Sequence, residues 1–245
     1  MSAASRRPFD RSPARREGWA FPFPGLSVAR SPPEDRPTFW TRALGNPPEV
    51  YGERLRFRDD AAWRAIDPTR SKLGAALCRG LREVPLTPGG KVLYLGGASG
   101  TTASHMADLV GRRGGVYVVE KSPRPFQRLL DVAGRWPNLF PILADAHDPR
   151  TYLPWVPPVD ALYLDIAQPD QVEIALEHAR LFLRRGGGLL FALKVPSLRR
   201  KEGGAGDPAE QALRGISRVF ETDPPIRLEP FHRGHIFITG HYRPD

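Results

Sequence analysis

Residues 91–102 read KVLYLGGASGTT: a short apolar run, a cluster of small residues, and the start of a helical pattern. The run KVLYL has the length and β-rich composition of a buried strand. Gly96, Gly97, Ala98, Ser99 and Gly100 then turn the chain, and Thr101 and Thr102 open a helix that reads through to Val110. Small side chains at such a turn let backbone N–H groups approach a ligand at a helix N-terminus. The spacing departs from the dinucleotide pattern G-x-G-x-x-G, because Ala98 stands where the second glycine is needed, and no P-loop lysine follows. Taken alone, the cluster also fits a tight strand-to-helix turn without a ligand.

Downstream, the same rhythm repeats. Apolar runs occur at 116–120 (VYVVE), 139–143 (LFPIL), 161–165 (ALYLD) and 189–194 (LLFALK), separated by helical patterns at 125–133 and 170–183. Strands alternating with helices imply a parallel sheet covered on both faces, so the expected fold class is a doubly wound, Rossmann-like α/β sandwich. The end differs. IRLEPF at 226–231 and HIFITGHY at 235–242 are joined only by His232, Arg233 and Gly234, which permits antiparallel pairing alone. The stripe Leu176, Ala179, Phe182 and Leu183 is ordinary helix core.

Acidic residues follow three consecutive strands. Glu120 at the second strand's tip has the geometry to accept hydrogen bonds from ribose hydroxyls. Asp145, in Ala144-Asp145-Ala146, fits an adenine amino group, with Ala146 giving a backbone contact, and Asp165 follows the fourth strand. Each acid singly also fits a helix cap or a solvated surface. Together they lie along the carboxyl edge of the sheet, where open α/β folds bind ligands, and favour a nucleoside cofactor.

Upstream, Asp67 and Pro68 read as the N-cap and first residue of a helix, which opens the main domain at 68–245. Residues 41–67 form a short lead-in, with an antiparallel hairpin at 50–66 around Arg58-Asp59-Asp60. Residues 1–40, rich in arginine and proline, read as a poorly ordered arm.

The chain of 245 residues suits one main domain plus an appendage. Its net charge of +9 and isoelectric point near 10.2 favour a polyanionic partner, although arginine-rich coding alone gives the same balance. A single cysteine, Cys78, rules out an internal disulfide and paired-thiolate zinc sites, and points to an intracellular setting. No apolar run reaches the roughly 18 residues that span a bilayer, so no membrane association is expected. His147, His178, His232 and His241 lack metal-ligand spacing and receive no chemistry, and no metal is required. His105 is read as packing or capping the first helix.

The stretches VYGE at 50–53, RSKL at 70–73, VLYLGGASGTTASH at 92–105, DIAQPDQ at 165–171 and LEPFHRGH at 228–235 resemble the fibrillarin-like RNA 2'-O-methyltransferases, in order and at compatible spacing across residues 44–243. The resemblance implies a class I methyltransferase fold using S-adenosyl-L-methionine (SAM), and a catalytic set of Lys72, Asp165, Lys194 and His235. It implies cofactor contacts from Gly96, Gly97, Ala98, Ser99, Gly100, Thr101, Thr102, Glu120, Lys121, Asp145, Ala146, Asp165 and Gln168. In that scheme Asp165 is base or proton acceptor for a ribose 2'-hydroxyl, the lysines supply positive charge, and His235 orients the hydroxyl or relays its proton. Without the motif, Lys72 fits a solvated helix lysine, Lys194 a strand-end charge and His235 a satisfied strand histidine. The resemblance further implies rRNA or tRNA as substrate, a Nop5-type scaffold, a box C/D guide ribonucleoprotein, and a cytoplasmic location, nucleolar in a eukaryote.

Some positions depart from the family. Lys121 stands where an aromatic residue often follows the ribose-binding glutamate, the glycine-arginine tract of nucleolar forms is missing, and the amino-terminal module reads as reduced to an arm and one hairpin. RRKEGGAGD at 199–207 reads as a flexible loop suited to RNA phosphates. A stand-alone enzyme, a methyltransferase for another substrate such as protein, and a non-catalytic RNA-binding module stand as alternatives. The intact four-residue set argues against the last.

Overall fold

A computed structural model describes residues 18–20, 23–30, 37–58, 60–198 and 207–244. The amino-terminal strands are β1 (Gly18–Ala20), β2 (Leu26–Arg30), β3 (Pro37–Arg42), β4 (Leu55–Arg58) and β5 (Ala61–Ala65), all antiparallel in the order β1-β2-β3-β5-β4. The expected hairpin is β4–β5, with Arg58 opposite Ala61 and Asp60 at a positive φ of 56°. The expected arm over 1–40 is corrected, because from Gly18 onward it supplies β1, β2 and the start of β3. The amino-terminal module is therefore a five-stranded sheet rather than one hairpin. Proline misleads here by marking strand ends: Pro24 precedes β2 and Pro37 is the first residue of β3, both places where a missing N–H is tolerated. Residues 1–17 of that arm lie outside the described residues, as do 199–206 of the basic glycine-rich loop.

The main domain runs α1 (Lys72–Cys78), β6 (Lys91–Leu95), α2 (Thr101–Val110), β7 (Gly115–Glu120), α3 (Pro123–Ala133), β8 (Leu139–Leu143), β9 (Val159–Leu164), α4 (Gln171–Phe182), β10 (Leu183–Lys194), α5 (Pro208–Ile216), β11 (Phe220–Thr222), β12 (Ile226–Arg227) and β13 (His235–Tyr242). The sheet order is β11-β13-β10-β9-β6-β7-β8, with β12 beside β13. The strands from β10 to β8 are parallel, and β13 is antiparallel to β10, β11 and β12; the expected strand over 226–231 is confined to Ile226–Arg227, and its antiparallel pairing with β13 is the one the short connection led us to expect. Leu93, Leu95, Leu162 and Leu164 are fully buried, each contributing about 1.5–3 kcal/mol of hydrophobic stabilisation. Pro141 sits in β8, which among the described residues pairs with β7 alone, and an edge strand is where a residue without an N–H is accommodated.

Helix α1 begins later than Asp67. The Asp67 carboxylate accepts from the Thr69 backbone N–H (2.8 Å) and hydroxyl (2.6 Å), which closes a local turn. Ser71 is the N-cap, its hydroxyl accepting from Gly74 N–H at 3.2 Å. Lys72 is thereby the first helical residue. Strand order reverses between β6, whose chain continues to β7 and β8, and β9, which leads to β10; this switch point is where a ligand crevice opens at the carboxyl ends. The Asp165 N–H donates to the Leu95 carbonyl at 3.0 Å, which joins the two loops at that point.

Candidate active site

The small residues after β6 are required by close contacts. A Cβ on Gly96, whose φ is 81°, would stand 2.3 Å from the Asp165 carbonyl oxygen, and one on Gly97 would stand 2.0 Å from Val118 Cγ1. Ala98 also has a positive φ, 45°, and this turns its N–H onto Glu120 Oε2 at 2.9 Å. The second Glu120 oxygen accepts from Ser122 N–H at 2.7 Å. The carboxylate of Glu120, a residue 8% exposed, is thus held by two backbone donors, and a carboxylate has further lone pairs to offer.

A cleft of about 290 Å³ opens here, lined by Gly96, Ala98, Glu120, Lys121, Asp145, Ala146, Asp165 and Gln168 among others. Of the remaining expected cofactor residues, Gly97 and Gly100 pack against Val118 and Leu129, while Ser99 and Thr101 are half-buried beside the turn. Thr102 is buried, and its hydroxyl donates to Ser71 Oγ at 3.1 Å. Its side chain therefore ties the cofactor helix to the cap of α1 instead of facing the cleft. A larger cleft of about 590 Å³, between the amino-terminal sheet and α1, holds none of the expected site residues.

Asp145 is gripped by His147, which offers its backbone N–H at 3.0 Å and Nδ1 at 2.8 Å; Lys121 Nζ lies 3.8 Å away. These contacts, the backbone bond first, hold the Asp145 carboxyl below its ordinary pKa. His147 Nε2 reaches Asp170 at 3.2 Å, and the bond to Asp145 foremost raises the imidazole pKa. No spacing rule in the sequence singles out His147.

The four expected catalytic residues converge. Lys72 Nζ lies 2.7 and 2.8 Å from the two Asp165 oxygens, with both side chains about one fifth exposed (19% and 20%). Lys194 and His235 are direct partners across β10 and β13. His235 Nδ1 is 3.0 Å from the Arg233 carbonyl, an acceptor only, so Nδ1 carries the proton and Nε2 keeps its lone pair. Burial foremost lowers the His235 pKa, and the Arg233 bond opposes this. Lys72 and Lys194 lower it further while Asp165 raises it, so all three charged members act on one ring.

Two neighbours were not singled out by sequence. His232 Nε2 donates to the Pro68 carbonyl at 2.9 Å, edge-on to His235 at 6.0 Å, and so ties the lead-in of α1 to the β12–β13 turn. Gln171, fully buried, bonds the backbone of Lys194. His105 and His178 are buried core residues bonded to Tyr51 and Tyr152. The amino-terminal sheet is fixed to α2 by Arg64, fully buried, which reaches Glu53 (2.7 Å), Asp108 (2.8 Å) and Ser104 (2.9 Å).

A doubly wound sheet with an antiparallel final strand, a glycine turn facing an acid on the next strand, and charged residues gathered at the switch point define a Rossmann-like class I methyltransferase. Comparison with known proteins narrows the class. The Fibrillarin family model matches residues 25–244, and the chain belongs to the fibrillarin family. It is 42% identical over 207 residues to a fibrillarin-like rRNA/tRNA 2'-O-methyltransferase of Saccharolobus islandicus, an alignment covering 83% of this chain and 88% of that protein. Among solved structures, Aeropyrum pernix fibrillarin with natively bound S-adenosyl-L-methionine is 38% identical (TM-score 0.79; 89% and 94% covered). The fibrillarin of a fibrillarin/Nop5p complex is 35% identical (TM-score 0.75; 88% and 97% covered).

Proposed function

We propose that this chain transfers a methyl group from SAM to a ribose 2'-hydroxyl of rRNA or tRNA, within an assembly containing a Nop5-type scaffold and a box C/D guide RNA. The observation that carries the reading is the Lys72–Asp165 pair, formed where the cleft lined by Gly96, Ala98 and Glu120 meets the Lys194–His235 strand pair. The donor set suits a nucleoside: Glu120 has lone pairs for ribose hydroxyls, Asp145 for an adenine amino group, and Gly96 leaves space that a Cβ would take. Bound there, SAM supplies a methyl group already activated by its positive sulfur.

The protein's part is alignment and proton removal. A ribose hydroxyl is a poor nucleophile until its proton leaves. Both Asp165 oxygens are engaged by Lys72, so Asp165 serves to hold Lys72 in place. His235, with Nε2 unprotonated and its pKa lowered by burial, is suited to take the proton. Lys72 and Lys194 stabilise the negative charge that develops on the oxygen. The net charge of +9 suits RNA, and the cytoplasm, or the nucleolus of a eukaryotic cell, is the proposed location.

The test measures methyl incorporation into RNA by the chain alone, with scaffold, and with scaffold plus guide. Incorporation only in the complete assembly is expected. Transfer at full rate by the isolated chain would overturn the guide requirement.

A further inference from the structure

The motif at 165–171 ends on Gln171, a residue with no part in the chemistry described so far. Its side chain, 0% exposed at the first turn of α4, reaches the end of β10. The amide nitrogen donates to the Lys194 carbonyl at 3.0 Å, and the amide oxygen accepts the Lys194 N–H at 3.0 Å. This two-point closure replaces a strand. The parallel neighbour β9 last pairs with β10 at Leu164 and Phe191, three residues before Lys194, while the other edge of Lys194 is paired with His235 on β13. Beyond the end of β9, the primary amide of Gln171 supplies the donor and acceptor that a neighbouring backbone would have offered.

We propose that Gln171 is the positioning residue for Lys194, fixing the backbone of the residue that stands opposite His235 across β10 and β13. The segment 165–171 then has three connected contacts: it lines the cofactor cleft through Asp165 and Gln168, holds Lys72 through Asp165, and holds Lys194 through Gln171. Setting this loop against a cofactor sets both lysines. The proposal rests on the reading that Lys194 serves methyl transfer.

The test compares Gln171→Met and Gln171→Glu with the parent in the complete assembly, measuring single-turnover methyl transfer and SAM affinity. Methionine keeps the volume and removes both bonds. Its rate is expected to fall by more than about threefold with SAM affinity held within about threefold. A rate within that margin, or a loss matched by lost cofactor affinity, overturns the proposal.

Should the methionine variant not fold, the glutamate variant decides. Its ionised carboxylate faces the Lys194 carbonyl without a proton, and protonation restores the donor, so its deficit exceeds about threefold near pH 9 and shrinks as pH falls. A smaller or pH-independent deficit overturns the proposal. Absence of transfer by the parent assembly faults the functional reading instead. Hydrogen exchange at the Lys194 amide in the methionine variant, or in Gln171→Leu should that not fold, then tests the clamp: exchange faster by more than about threefold supports it, and unchanged exchange overturns it.

Discussion

Replacing Arg64 with methionine tests how the amino-terminal sheet is anchored to the cofactor helix. Arg64, Glu53 and Asp108 all have side chains 0% exposed, and the ion pairs measure 2.7 and 2.8 Å. Arg64→Met keeps most of the buried stem and leaves two carboxylates without their cation. Neither is bare: Asp108 still accepts from Thr41 (2.9 Å), Leu44 N–H (2.8 Å) and Trp136 (2.7 Å), and Glu53 from Val50 and Tyr51 N–H groups. Removing one partner of a buried pair costs about 3–5 kcal/mol, and at roughly 2–4 °C per kcal/mol for a chain of this size the melting temperature drops by about 6–20 °C.

The pH dependence has a defined sign. Burial raises the Asp108 pKa and Arg64 opposes it, so without Arg64 the folded-state pKa rises further above the unfolded one. A raised carboxyl favours the fold while protonated and loses that contribution as pH rises, so the deficit is larger near pH 8 than near pH 5. Calorimetry and denaturant unfolding at both pH values measure it. Combining Glu53→Gln and Asp108→Asn with Arg64→Met removes the orphaned charges and should recover part of the loss. A single variant within about 1 kcal/mol of the parent at both pH values, or no recovery in the triple variant, refutes the reasoning.

Three further outcomes are expected. Gly96→Ala places a Cβ 2.3 Å from the Asp165 carbonyl at φ 81°; with about 1–3 kcal/mol of backbone strain, SAM affinity should fall at least about tenfold by titration calorimetry, and unchanged affinity would contradict the cradle. His147, raised by Asp145 and Asp170, contributes stability below its unfolded pKa that is lost as pH rises through the folded value. The stability difference between parent and His147→Gln should therefore shrink from acid to alkaline pH, and a constant difference counts against the bridge. His235, lowered chiefly by burial, should titrate by NMR below about 6.5. Its neutral-state stabilisation is present above the unfolded pKa and lost as pH falls through the folded one. The transfer rate should fall on the same limb, and a rate flat through that range would rule out its proton-accepting role.

The parallel sheet was legible because KVLYL, VYVVE and their fellows are short, apolar and separated by helical periods, and a buried parallel strand leaves that signature. The amino-terminal sheet was not. Its strands are stabilised by distant partners, and the residue that anchors it, Arg64, belongs to a type that hydropathy reads as exposed. The start of α1 is ambiguous in sequence because two capping residues stand four apart, and only the turn closed by Thr69 shows that Asp67 is already occupied. Lys72 and Asp165 meet across 93 positions of sequence, so their pairing was available through family resemblance and not through local pattern. Gln171 looks like any polar residue opening a helix; only the three-dimensional end of β9 reveals the gap it fills.

The most direct test supplies the assembled protein with methyl-labelled SAM and RNA from its own source, then maps the label. Label is expected on ribose 2'-oxygens of rRNA or tRNA, abolished by Asp165→Ala while SAM binding persists. Label on protein or on a base, or transfer undiminished by Asp165→Ala, would contradict it.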